Sequence, residues 1–115
     1  MSDTSRIGTQ PSPSRQALER LATGNRRFVE GIRSVEALTG HTRMPDLAAK
    51  GQKPFAVILT CSDSRSPVEL IFDQGVGDLF VVRVAGNVVA PSLLASIEFA
   101  VANFGSAAIV VLGHT

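Results

Sequence analysis

The chain has 115 residues, a net charge of +1 and an apolar fraction of 44%, with one cysteine, two histidines and no tryptophan or tyrosine. That is at most one small domain, apolar enough to fold, with no cluster of basic and aromatic residues to grip nucleic acid. A single cysteine cannot form an internal disulfide, no run approaches the roughly 20 apolar residues of a membrane span, and the polar start "MSDTSRIGTQPSPS" has no signal core, so a cytoplasmic location is expected.

Residues 1–13, rich in Ser, Thr, Gly and Pro, are expected to form a flexible tail, with one α/β domain over 14–115. A helix is expected from near Ser14 to Gly31, with Leu18, Leu21, Ala22, Asn25 and Phe28 on its apolar stripe. Gly24 lies inside that stripe, where it costs about 1 kcal/mol relative to Ala. Arg15, Arg20, Arg26, Arg27 and Arg33, beside Glu19 and Glu30, read as a solvated face. The segment "LTGHTRMP" containing His41 reads as a loop without a functional role. A short helix follows in "PDLAAKG", with Pro45 in its first turn and Gly51 as its stop.

"FAVILT" (55–60) is a continuous β-branched run, as expected of a strand buried on both faces. "SPVELIFDQG" then reads as a helix with Ser66 as N-cap, Pro67 in the first turn and Gly75 at the end. "LFVVRV" (79–84) is a second strand, "PSLLASIEFAVANFG" (91–105) a second crossover helix, and "AAIVVLG" (107–113) a third strand. Gly75, Gly77 and Gly86 read as turn residues. Strand, helix, strand, helix, strand is the pattern of a parallel α/β sheet covered by helices, a three-layer architecture.

In such sheets ligands gather beyond the carboxyl ends of the strands. Cys61, Asp63 and Arg65 follow the first strand, Gly86 and Asn87 the second, and His114 the third. All of this chemistry converges on one edge. A thiolate and an imidazole suit zinc, which accepts sulfur and nitrogen in tetrahedral geometry. Asp63 could reach the same ion, or be held by the fork of the Arg65 guanidinium. A zinc site with an open position lowers the pKa of bound water to about 7. Each residue alone also has a plain reading: a buried cysteine, a surface Asp–Arg pair, a strand-end histidine. A Cys-x5-Arg phosphatase loop is disfavoured, because the spacing here is Cys-x3-Arg and Asp63 would repel a phosphate. No Walker or dinucleotide glycine pattern is present.

"CSDSR", then "RVAGN", then "LGH" at the end of the next strand resembles the β-class carbonic anhydrases, and the resemblance runs from Ser14 to Thr115. It implies zinc-dependent interconversion of CO2 and water with bicarbonate and a proton. By match to the family motif, Cys61 and His114 would be zinc ligands. Asp63 would be an exchangeable ligand or, paired with Arg65, the carboxylate facing the active water. Gln52 would donate a hydrogen bond to substrate, while Phe80, Ala85 and Gly86 would line the CO2 pocket. The family builds that pocket across a dimer, so a homodimer or higher homo-oligomer is implied. Gln52, with no Trp or Tyr in the chain, resembles the branch with a permanently open zinc site.

The family pattern continues Gly-His-x-x-Cys, and that cysteine would fall two positions beyond Thr115. The sheet is therefore expected to be incomplete at its C-terminal side, with "AAIVVL" left as an apolar edge. Two further readings stand beside the enzyme: a non-catalytic chain that associates with a fuller partner, and a CS2 or COS hydrolase of the same fold. The 115-residue chain alone is expected to hydrate CO2 no faster than buffer.

Overall fold

A computed structural model describes residues 10–38, 40–63 and 67–115. Helix α1 spans Pro13–Val29, α2 Val35–Leu38 and α3 Gly40–Lys50. Strand β1 (Ala56–Thr60) is followed by α4 (Val68–Ile71), β2 (Leu79–Arg83), a 3-10 turn (Ala85–Asn87), α5 (Pro91–Phe104) and β3 (Ala108–Leu112). The strands form a parallel sheet in the order β2-β1-β3. Ala56 stands opposite Leu79 and Ala108, and Thr60 opposite Arg83 and Leu112, so the three strands end on one row.

β1 is the centre of the molecule, and all five of its residues are buried, which explains its unbroken apolar run. On one face Ala56 and Ile58 pack with Leu21 of α1, Val68 of α4 and Leu79. On the other, Val57 and Leu59 pack with Val82 and with Ala100 of α5. The two connections thus lie on opposite faces, and the strand order reverses at β1. Such a reversal opens a crevice at the carboxyl end of that strand. Cys61 occupies that point.

The expected helices differ from the observed ones in four respects. In α1 the buried stripe is Ala17, Leu21 and Gly24, while Leu18 and Phe28 are exposed. The reason is close packing: a Cβ on Gly24 would collide with the backbone of Phe72, so the helix turns its small residues inward. The helix before β1 begins at Gly40, so His41 is on a helix and Pro45 lies inside it. Pro45 removes one backbone hydrogen bond; Gly51, at φ +78, ends the helix as expected. The helix after β1 has only four residues, with Pro67 at its N-cap position; Ser66 lies outside the described residues.

The fourth difference concerns the arginines. Arg15 pairs with Glu19 on the surface at 3.7 Å, as a solvated face would. Arg20, however, stacks over the Phe55 ring at 4.0 Å and pairs with Asp78. Arg27 and Arg33 converge on Asp73, whose side chain is fully buried and also accepts from the Ser34 amide at 3.0 Å. Burial alone would push the Asp73 carboxyl up; the Arg27 hydrogen bond, the Ser34 amide and both guanidinium charges outweigh it, and the carboxyl is held below its ordinary range. Asp73 adopts φ +47, a left-handed conformation that Asp tolerates. Clamped there, it stops α4 short of Gly75.

α5 runs close to its expected length, with Gly105 at φ 64 closing it, the usual role of a glycine in that position. β3 pairs with β1 alone among the described strands. Ile109 and Val111 are 52% and 65% exposed on the α5 side of this edge, so the apolar edge expected for "AAIVVL" is present.

Candidate metal centre at the strand ends

Strand register brings the site together. The β1–β2 ladder extends past Thr60, whose carbonyl accepts from the Val84 amide at 3.0 Å, and the chain then turns tightly through Ala85, Gly86 and Asn87. Gly86 takes φ +75, which glycine adopts without steric cost, and its amide points at the Cys61 sulfur, 3.4 Å away. His114, two residues beyond the end of β3, hydrogen-bonds the same sulfur. Arg83, at the end of β2, donates through Nη2 to the backbone carbonyl of Asp63 at 2.7 Å, bracing the turn that follows Cys61.

The electrostatics follow from these contacts. The Cys61 thiol is lowered to about 7 by the His114 hydrogen bond first, then by the backbone amides of Gly86 and Asp63. All three favour the thiolate. His114 is raised by its hydrogen bond to Cys61 first, then by the Thr115 backbone, with the charges of Cys61 and Asp63 acting in the same direction. The His114 Nδ1 lies 3.2 Å from the Thr115 carbonyl oxygen.

A thiolate and an imidazole meeting at a partly exposed sulfur are a donor pair of the kind zinc takes. Among the described residues no group of three His, Cys, Asp or Glu side chains is arranged to hold a metal ion. The described site therefore fits zinc in donor type, with two donors, the Cys61 sulfur and the His114 ring. Arg65, expected to pair with Asp63, lies outside the described residues.

The remaining expected residues divide between the two ends of the sheet. Ala85 and Gly86 stand at the carboxyl end beside Cys61. Gln52 precedes β1, in a hollow of about 420 Å³ with Met44, Leu47 and Val76. Lys53, Pro54, Phe55 and the whole of β1, whose five residues rise about 3.3 Å each, separate it from Cys61. Phe80 lies early in β2 and packs against Phe99 and Phe104 of the α5 side, at ring separations of 6.3 and 5.9 Å. Within one chain, neither Gln52 nor Phe80 reaches the thiol.

Sequence reasoning placed Asn87 on the right edge without giving it a role. In the structure its Nδ2 donates to the Leu112 carbonyl at 3.1 Å, joining the turn after β2 to the end of β3. A single asparagine in a turn carries no periodic signal that would have shown this.

The carbonic anhydrase family model matches residues 56–115. Carbonic anhydrase 2 of Mycobacterium tuberculosis is 51% identical over 103 residues, covering 85% of this chain and 46% of that protein. The carbonic anhydrase of Mycolicibacterium smegmatis is 46% identical over 98 residues, covering 85% of this chain and 47% of that protein. The chain thus spans about half the length of the curated relatives it matches. Among solved structures, a β-carbonic anhydrase of Sordaria macrospora, described as tetrameric, superposes with a TM-score of 0.60 at 32% identity, covering 87% of this chain and 50% of that one. The β-carbonic anhydrase of Aspergillus fumigatus superposes with a TM-score of 0.59 at 38% identity, covering 65% of this chain and 38% of that one. On this match in sequence, fold and strand-end motif, the chain belongs to the β-carbonic anhydrase family.

Proposed function

We propose that this chain carries part of a zinc-dependent site for the reversible hydration of CO2 to bicarbonate and a proton. The observation that carries the reading is the convergence of the Cys61 sulfur, the His114 ring and the Gly86 amide at the point where the strand order reverses. Cys61 and His114 are the proposed zinc ligands. Asp63 is either a third ligand or, with Arg65, the carboxylate that accepts a hydrogen bond from the attacking water and so aims its lone pair. Zinc, when bound, supplies a Lewis acid that makes hydroxide available at neutral pH.

The rest of the pocket is proposed to come from a second copy. Ala85 and Gly86 offer small apolar walls beside the thiol, suited to a small linear substrate. Gln52, whose amide would donate to a bicarbonate oxygen, and Phe80 lie toward the amino end of the sheet. A homo-oligomer that sets that end of one copy against the strand ends of another would bring them into the site. A cytoplasmic location, suggested by the single cysteine, belongs to the same proposal.

A second reading is favoured by the two-donor site and by the exposed apolar residues of β3. In it, the chain is not catalytic and associates through that edge with a fuller partner. Zinc content by elemental mass spectrometry, with CO2 hydration followed by stopped-flow indicator change, separates the two. Near one zinc per chain with zinc-dependent hydration supports the enzyme. Neither zinc nor hydration in the folded 115-residue protein supports the second reading.

A further inference from the structure

β3 leaves the sheet ladder at Leu112, the last residue in register with β1, and His114 stands two residues beyond. What fixes the histidine over Cys61 must therefore come from outside the ladder. The turn after β2 supplies it. Its Gly86 amide donates to the Cys61 sulfur, and the next side chain, Asn87, donates through Nδ2 to the Leu112 carbonyl at 3.1 Å. Two adjacent residues thus grip the two halves of the site.

The local chemistry is selective for this side chain. Asn87 has φ +55, a left-handed conformation that asparagine tolerates better than most residues, and its own amide donates to Val84, holding the turn closed. The carboxamide must present its NH2 group to Leu112, because its oxygen would face another carbonyl oxygen. That oxygen is instead buried and has no hydrogen-bond partner. Buried polar atoms without partners are uncommon, and here the orphan is tolerated alongside a donor that ties two strand ends.

We propose that Asn87 is a positioning residue, whose carboxamide ties the end of β3 to the turn holding Cys61 and thereby sets where His114 stands relative to the sulfur. The inference rests on reading Cys61 and His114 as a metal-binding pair, and deepens it. Groups that orient metal ligands typically change metal affinity by about 10–100-fold when removed.

The test compares the wild-type chain with Asn87→Gly and Asn87→Asp. Glycine accepts the left-handed backbone and deletes the donor; aspartate keeps the shape and replaces the donor with an acceptor. In the metal-free proteins, NMR should show cross-relaxation between the His114 ring protons and the Cys61 β-protons in wild type. That contact should be lost in both variants, while core methyl resonances of β1 and the thermal midpoint of Asn87→Gly stay close to wild type. Zinc affinity, read by competition with a chromophoric chelator, should fall about 10–100-fold in both variants. Retention of the ring contact in both variants would overturn the proposal. Loss of the contact only together with loss of the core resonances would also overturn it, by making Asn87 a general fold determinant. A wild-type chain that shows the contact but takes up no zinc would count against the zinc reading, while the NMR comparison would still decide the role of Asn87.

Discussion

A Cβ on Gly24 would collide with the carbonyl oxygen of Phe72, so α1 and the segment after α4 touch backbone to backbone at that point. The contact is reinforced on both sides. Asn25 donates to the Ile71 carbonyl at 2.9 Å, and Arg27 pairs with Asp73. Helix propensity favours Gly24→Ala by about 1 kcal/mol, whereas overpacking against an immobile backbone costs about 1–3 kcal/mol. The clash should prevail, because neither backbone can yield without breaking these flanking bonds. Chemical denaturation should give a lower midpoint for Gly24→Ala than for wild type. An equal or higher midpoint would mean that α1 does not pack on Phe72.

Asp73 makes the low-pH limb of stability predictable. Its pKa is depressed in the folded protein, since its burial is outweighed by Arg27, Ser34 and Arg33. A group shifted down stabilises the fold above its unfolded value, about 3.9 for Asp, and that contribution is lost as pH falls through the folded value. Asp73→Ala should therefore lower stability at pH 7 by about 1.5–3 kcal/mol, the range for hydrogen bonds to charged groups. The gap between variant and wild type should narrow only below about pH 4. Urea titrations of both proteins from pH 7 to pH 3 would show it. A gap that stays constant to pH 3 would separate the effect from the carboxylate's charge.

The three strands were legible because β1, β2 and β3 are short apolar runs rich in β-branched residues, and their parallel arrangement alone brought Cys61, Gly86 and His114 to one edge. α5 was legible from Pro91 at its start and Gly105 at its end. The inward face of α1 was not, because hydrophobic patterning weights large side chains such as Leu18 and Phe28, whereas close contact with Phe72 selects Ala17 and Gly24. The arginines hid a second structural centre for a related reason. Among the described residues, those that neutralise the Asp73 carboxylate stand 46 and 40 positions upstream, a separation no local pattern reveals. Gln52 and Phe80, matched by motif, lie toward the other end of the sheet from the thiol, which a linear motif cannot show.

The Cys61–His114 contact makes thiol reactivity a direct report on the site. In the metal-free protein the thiol is lowered to about 7, with His114 the largest cause. The thiolate is the nucleophile, so the rate of alkylation by iodoacetamide should rise with pH through a midpoint near 7. His114→Ala removes the strongest of the lowering interactions and leaves the Gly86 and Asp63 amides in place. The midpoint should therefore move up, only part of the way toward the ordinary thiol value of about 8.5. Added zinc should slow alkylation of the wild-type protein at pH 7, since a coordinated thiolate is withdrawn from attack, and a chelator should restore the rate. The His114→Ala protein should need more zinc for the same protection, because one of its two strand-end donors is gone. An unchanged midpoint in His114→Ala would show that the imidazole does not stand against the sulfur, and the proposed pair of zinc ligands would fail with it.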